Sequence, residues 1–199
     1  MSTFTSGKTI TVKLITVGDT GVGKTSMLIR YLQGVFPDPD KLKSTIGVAF
    51  FSKDFYIDDN VKIVAQIWDF AGQERFREFM KKMFRGTRGG ILVFDLSNRM
   101  TLDDLESFWI PQIQEIAGVK FSSESEIPFI LVGNKKDLID TKDTLALSNA
   151  PTREEIKRVI DKYGFEYFET SAKNGTNIGE VFERLIKRVY TLCKEAALK

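Results

Sequence analysis

Gly18-Asp-Thr-Gly-Val-Gly-Lys-Thr25 satisfies G-x-x-x-x-G-K-[ST] at every specified position and adds a further glycine at Gly21. The residues before it, Ile10-Thr-Val-Lys-Leu-Ile-Thr-Val17, alternate in polarity and are rich in β-branched side chains, which predicts a strand. The residues after it, Ser26-Met-Leu-Ile-Arg-Tyr-Leu-Gln33, contain neither glycine nor proline before Gly34, which predicts a helix. Strand, glycine loop and helix together distinguish a phosphate cradle from a glycine-rich turn that happens to contain a lysine.

Glycines at 18, 21 and 23 let the backbone turn tightly and aim successive N–H groups at one point. The start of the following helix adds partial positive charge there. Lys24 brings a full charge to the outer phosphates of a nucleotide, and the Thr25 hydroxyl is placed to ligate the accompanying Mg²⁺. Asp19, Thr20, Gly21, Val22, Gly23, Lys24, Thr25 and Ser26 are thus the expected phosphate-binding residues.

Composition narrows the possibilities. The chain's 199 residues suffice for one domain with a sizeable core, and its 42% hydrophobic and 28% charged content is that of a globular protein. A net charge of +2 implies no general attraction to nucleic acid or membranes. A single cysteine, Cys193, excludes an internal disulfide and suits a reducing, cytoplasmic compartment. No signal-peptide core is visible, Ser2 is incompatible with N-myristoylation, and the apolar runs are too short to span a bilayer. Histidine is absent, so any chemistry must proceed without an imidazole base.

Strand signals recur at Val48–Ile57, Val61–Trp68, Ile91–Leu96, Pro128–Val132 and Phe165–Glu169. The first two are joined through Asp58-Asp-Asn60 as a hairpin. Residues 34–44 read as an exposed loop, and 69–88 as a loop with a short irregular helix. Thr101 with Asp104 predicts a helix cap, and Pro111 should kink or interrupt the helix that follows. Thr152-Arg-Glu-Glu155 is a capping box for a helix ending at Gly164, and a last helix carries Ile178, Val181, Phe182, Leu185, Ile186 and Val189 on one face. The pattern predicts an α/β P-loop nucleoside-triphosphatase fold: six strands, mostly parallel with one antiparallel hairpin strand, and about five helices. The expected domain is single, with 1–8 and 195–199 as short extensions.

In such a sheet ligands sit beyond the carboxyl ends of the strands. The strand ending at Trp68 delivers Asp69, an acidic residue suited to a Mg²⁺ site, then Gly72, whose N–H can reach a terminal phosphate, and Gln73, whose amide can orient a water. The strand ending at Val132 delivers Asn134, Lys135 and Asp137. A carboxylate at 137 can accept two hydrogen bonds from guanine that adenine cannot offer, while the Lys135 stem lies along the purine. The last strand delivers Ser171, Ala172 and Lys173, whose backbone can reach the guanine carbonyl, with Ser171 bracing the loop of Asp137.

These segments, in this order over residues 9–192, resemble the small GTPases of the Ras superfamily. Ser44-Thr45-Ile-Gly47 and Trp68-Asp-Phe-Ala-Gly-Gln-Glu-Arg-Phe76 are most similar to the Rab branch. The resemblance implies a switch that binds GTP and GDP with Mg²⁺ and slowly hydrolyses GTP. It implies that Thr45 ligates Mg²⁺ alongside Thr25 and Asp69, that Phe36 covers the guanine, and that Lys173 serves the last guanine loop. Gln73, Lys24 and Thr45 become the expected catalytic residues. Effectors, exchange factors and GTPase-activating proteins would bind through 36–53 and 70–85, with cytoplasmic or peripheral membrane localisation and roles in signalling or vesicle traffic.

Several positions depart from the Rab pattern. The loop 36–45 is about two residues longer, Phe70 replaces a customary threonine, and residues 138–151 read as an insertion. Phe50 and Trp68 match two members of a surface aromatic triad whose third position is Met83. Cys193 is followed by Lys-Glu-Ala-Ala-Leu-Lys199, which is no prenylation signal, so no lipid anchor is evident in this chain: either a lipidated tail is missing from it or the protein is not lipid-anchored. Two other readings stay open at this point: a GTP-binding scaffold with negligible hydrolysis, and a nucleotide kinase, although an arginine-rich lid is missing.

Overall fold

The computed structural model describes residues 8–38, 45–58, 61–73, 82–141 and 144–196. Six strands, β1 (Lys8–Val17), β2 (Val48–Asp58), β3 (Val61–Phe70), β4 (Gly89–Asp95), β5 (Phe129–Asn134) and β6 (Glu166–Glu169), form one sheet in the order β2-β3-β1-β4-β5-β6. Only the β2–β3 pair is antiparallel. The helices among the described residues are α1 (Lys24–Gln33), α2 (residues 100–117), α3 (Lys136–Asp140), α4 (Thr144–Asn149), α5 (Arg153–Tyr163) and α6 (Ile178–Ala196). Two of them, α3 and α4, are not among the helices expected from the sequence; they lie in and beside the inserted segment 138–151.

Strands β4 and β5 are buried along their whole length and carry continuous apolar runs, because both of their faces are covered. Ile15, Val17, Leu92, Phe94 and Leu131 point into a cluster with α2 and α5. Their neighbours Leu14, Ile91, Val93, Ile130 and Val132 point the opposite way, into a cluster with α1 and α6. The apolar stripe of α6 is fully engaged: Val181, Phe182, Leu185, Ile186 and Val189 are buried, each contributing about 1.5–3 kcal/mol of transfer free energy. Register then aligns the strand ends. Thr16 of β1 lies beside Asp69 of β3, Asp95 of β4 beside Asn134 of β5, and Gly133 beside Glu169 of β6. One edge of the sheet thereby collects the polar residues of five strands.

One local expectation is corrected. Thr101 is not a cap but lies inside α2; the Met100 N–H is accepted by Asn98 Oδ1 at 3.2 Å. The Thr101 hydroxyl instead accepts the Asp95 N–H at 2.9 Å and donates to the Asn98 carbonyl at 2.7 Å, fastening α2 to the end of β4. Pro111 follows an interruption of the α-helical run, as expected: α2 widens into a π-helical stretch at Leu105–Trp109 just before it. The wider turn accommodates a residue with no N–H and a ring that would crowd a regular α-turn. The capping box at Thr152 forms as expected. Strand β1 begins at Lys8 and α6 runs to Ala196, both slightly inside the expected extensions. Of the loop and irregular helix expected at 69–88, residues 74–81 lie outside the described residues, and Lys82–Phe84 is a single 3₁₀ turn. The turn residues Asp59 and Asn60 and the loop residues 39–44 also lie outside them.

Candidate functional site

Between β1 and α1 the chain makes a loop with left-handed backbone at Gly21 (φ 78°) and Gly23 (φ 98°). At Gly18 the constraint is space: a Cβ there would stand 2.0 Å from the Val93 carbonyl oxygen. Lys24 folds back across the loop, its Nζ donating to the carbonyls of Gly18 at 2.9 Å and Asp19 at 2.7 Å. Burial depresses the Lys24 ammonium to about 8, against the opposing pull of Asp69 and Asp19. A buried cation held by neutral carbonyls gains from an arriving anion. The Asp19 carboxylate accepts the Thr20 N–H at 2.6 Å and so shapes the loop.

Three oxygen-bearing side chains meet beside the loop. Thr25 Oγ1 lies 2.7 Å from Thr45 Oγ1 and donates to Asp69 Oδ2 at 2.5 Å. Asp69 is fully buried, and its Oδ1 has no hydrogen-bond partner among the described residues. Burial pushes its carboxyl up to about 6, although Lys24 and the hydroxyls of Thr25 and Thr45 pull the other way. An orphaned buried carboxylate oxygen grouped with two hydroxyls fits a hard divalent cation such as Mg²⁺, which takes oxygen ligands from few side chains and completes its shell with water and phosphate.

At the other end of the loop Asn134 occupies a buried crossroads. Its Nδ2 donates to the Val22 carbonyl at 2.8 Å, while its Oδ1 accepts from Thr170 Oγ1 at 3.1 Å and from the Ala172 N–H at 3.2 Å. Ser171 Oγ donates to Asp137 Oδ1 at 2.6 Å, bracing the carboxylate as the sequence suggested. Lys135 adopts a left-handed conformation (φ 66°), and its ammonium pairs with Asp95 Oδ2 at 2.6 Å. The Ala172 N–H is thus engaged by Asn134, in a residue that also lines the neighbouring cavity.

Two cavities result, and they share Gly21, Gly23 and Ser26. One, of about 230 Å³, is lined by Lys24, Thr25, Thr45, Ala71, Gly72 and Gln73 among others. The second, of about 360 Å³, is lined by Phe36, Asn134, Lys135, Asp137, Ala172 and Lys173 among others. Val22 and Asp19 line neither: the Val22 side chain is in the core, and its carbonyl serves Asn134. The chain at Gly72 presses on the phosphate loop so closely that a Cβ would stand 2.1 Å from the Thr20 nitrogen. The Ala71 N–H donates to the Gly47 carbonyl at 2.9 Å, linking the segments that follow Thr45 and precede Gln73.

The sequence reading missed Arg30. From α1 its Nε donates to the Ala172 carbonyl at 2.9 Å and a guanidinium nitrogen reaches the Lys173 carbonyl, pinning the last loop of the site. Thr170, wholly buried beside Asn134, was missed as well. No local pattern marks either residue; a single arginine within the apolar run of α1 was the one hint.

Among the surface aromatics, Phe50 is exposed and packs edge-on against Trp68 with ring centroids 5.7 Å apart. Met83 packs against the core from the neighbouring turn.

Comparison with known proteins agrees with this geometry. A family model described as the Ras family matches residues 13–191. Ras-related protein Rab-39A of Homo sapiens is 36% identical over 188 residues, covering 94% of this chain and 81% of the relative. Ras-related protein Rab-27A of Rattus norvegicus is 38% identical over 184 residues, covering 88% and 76%. Ras-related protein Rab-11C of Dictyostelium discoideum is 36% identical over 180 residues, covering 90% and 73%. The chain belongs to the Ras family and is a Rab-like GTP-binding protein that hydrolyses GTP.

Proposed function

We propose that this single G domain is a nucleotide-operated switch for membrane traffic. In it the guanine lies in the cavity of Asp137 and the phosphates lie over Lys24, with Thr25, Thr45 and Asp69 holding Mg²⁺. The observation that carries this reading is the continuity of the two cavities through Gly21, Gly23 and Ser26, with a base-reading carboxylate at one end and a buried cation at the other.

Hydrolysis joins a water oxygen to the γ-phosphorus and breaks its bond to the bridging oxygen, yielding GDP and inorganic phosphate. Lys24 and the loop N–H groups stabilise charge on the transferring group, and Gln73 orients the water through an amide that both donates and accepts. Bound Mg²⁺ supplies charge neutralisation between the outer phosphates. No arginine is among the described residues lining the phosphate cavity. In this reading the unassisted rate is slow, and a partner that inserts an arginine raises it by about 10³- to 10⁵-fold.

With GTP bound, Thr45 and Gly72 contact the third phosphate; its loss releases the segments around them, and partners at 36–53 and 70–85 read the difference. Among the described residues no helix is long and apolar enough to cross a membrane, so contact with membranes would be peripheral. Single-turnover phosphate release tests the reading: the parent protein hydrolyses bound GTP, and Gln73→Leu binds it yet loses most of the turnover. Equal turnover by the two would remove Gln73 from the mechanism, and no turnover by the parent would leave a GTP-binding scaffold.

A further inference from the structure

We propose that Asp95, at the end of β4, is a positioning residue that sets the lifetime of the bound nucleotide by holding Lys135 in place; the inference rests on the base-site reading above. Lys135 is one of two non-glycine residues with positive φ among the described residues, at φ 66° and ψ 34°. A left-handed conformation costs a side-chain-bearing residue on the order of 1–3 kcal/mol and persists only where its surroundings fix it. Lys135 precedes α3, and its carbonyl accepts the Leu138 N–H at 3.0 Å, so the turn that aims Asp137 depends on its conformation. Lys135 lines the base cavity, and its ammonium meets Asp95 Oδ2 at 2.6 Å.

Asp95 is built to receive it. The residue is 6% exposed, and its other oxygen, Oδ1, accepts both the Ser97 N–H at 2.8 Å and the Ser97 hydroxyl at 2.6 Å. Its own N–H is held by Thr101, and β4 pairs it directly with Asn134. With Oδ1 taken up by Ser97, the carboxylate keeps Oδ2 for Lys135, presented from the end of a paired strand. A lysine tethered at both ends has lost its rotamer freedom before the base arrives, so that ordering is not charged against nucleotide binding. With the tether cut, Lys135 is free to leave both the left-handed turn and the cavity wall.

The test is a double-mutant cycle on release of a fluorescent GDP analogue from Mg²⁺-loaded protein. Asp95→Asn retains an oxygen for Ser97 and loses the charge. It should speed release about tenfold, the loss of one charge-assisted bond. Lys135→Ala should speed release at least as much, and Asp95→Asn should then add nothing in the Lys135→Ala background. Phosphate release from preloaded GTP should change less than twofold in Asp95→Asn, because the chemical step lies at the other cavity. If Lys135→Ala releases GDP at the parent rate, the base-site reading itself fails. If Lys135→Ala is fast while Asp95→Asn matches the parent, or if the two effects multiply, the positioning role of Asp95 is overturned.

Discussion

The side-chain amide of Asn134 donates to the carbonyl of Val22, 112 positions earlier in the chain, at 2.8 Å. This bond ties the loop that receives phosphates to the loop that reads the base, and the opposite side of the same amide holds Thr170 and Ala172. Asn134→Ala leaves three buried polar groups without their partner. Since each orphaned group costs about 1–3 kcal/mol, GDP affinity should fall by at least about a hundredfold. Titration with a fluorescent GDP analogue checks this, and an unchanged affinity would show that the two loops are positioned independently.

Base choice follows from Asp137. Ser171 Oγ donates to one carboxylate oxygen at 2.6 Å, so the bracing hydroxyl reinforces an acceptor. Asp137→Asn places an amide N–H₂ where guanine presents its own amine, and a donor there suits the carbonyl of xanthine. GTP binding should weaken by at least about a hundredfold while XTP binding strengthens. Retained guanine selectivity in a competition assay would displace Asp137 from the base site.

Some of this was legible in the sequence because phosphate and base recognition depend on short loops whose residues are adjacent in the chain. Gly18 to Thr25, Asp69 to Gln73, Asn134 to Asp137 and Ser171 to Lys173 could each be read where they stand, and alternating apolar strands then placed them on one edge. The linkages between loops were not legible, since they join residues far apart. Thr101 looked like a helix cap because its neighbours suit one, yet its hydroxyl is taken by the Asp95 N–H of β4. Lys135 looked like a purine-facing stem, and its ammonium proved to be spoken for by Asp95. The inserted segment gave no sign of α4, whose six residues Thr144–Asn149 carry only a weak apolar pattern.

Arg30 extends the same logic. Its guanidinium spans from the end of α1 to the carbonyls of Ala172 and Lys173, and a third nitrogen donates to the Gly34 carbonyl at 2.8 Å. Arg30→Ala should accelerate GDP release about three- to tenfold, because charged donors to partly exposed carbonyls contribute modestly. Arg30→Lys should fail to restore it, since a single ammonium cannot span three carbonyls. Rescue by lysine in a stopped-flow release assay would mean that charge, not the guanidinium fork, matters at this position.

A stability change remote from the site provides the contrast. Thr152 Oγ1 accepts the Glu155 N–H at 3.2 Å, and the Glu155 carboxylate accepts the Thr152 N–H at 2.8 Å, closing the first turn of α5. Thr152→Ala should cost about 1 kcal/mol and lower Tm by about 2–4 °C, with GDP release unchanged. The Glu155 carboxyl is held below its ordinary range, first by the Thr152 backbone N–H and also by Arg99. A depressed carboxyl stabilises the fold above the unfolded-state value, and that stabilisation disappears as pH falls through the folded-state value. Glu155→Gln should therefore melt below the parent at pH 7, and the two should converge in acid. A Tm difference that persists undiminished after Glu155 is protonated would mean that packing against Arg99, not the ionised capping carboxylate, holds this end of the helix.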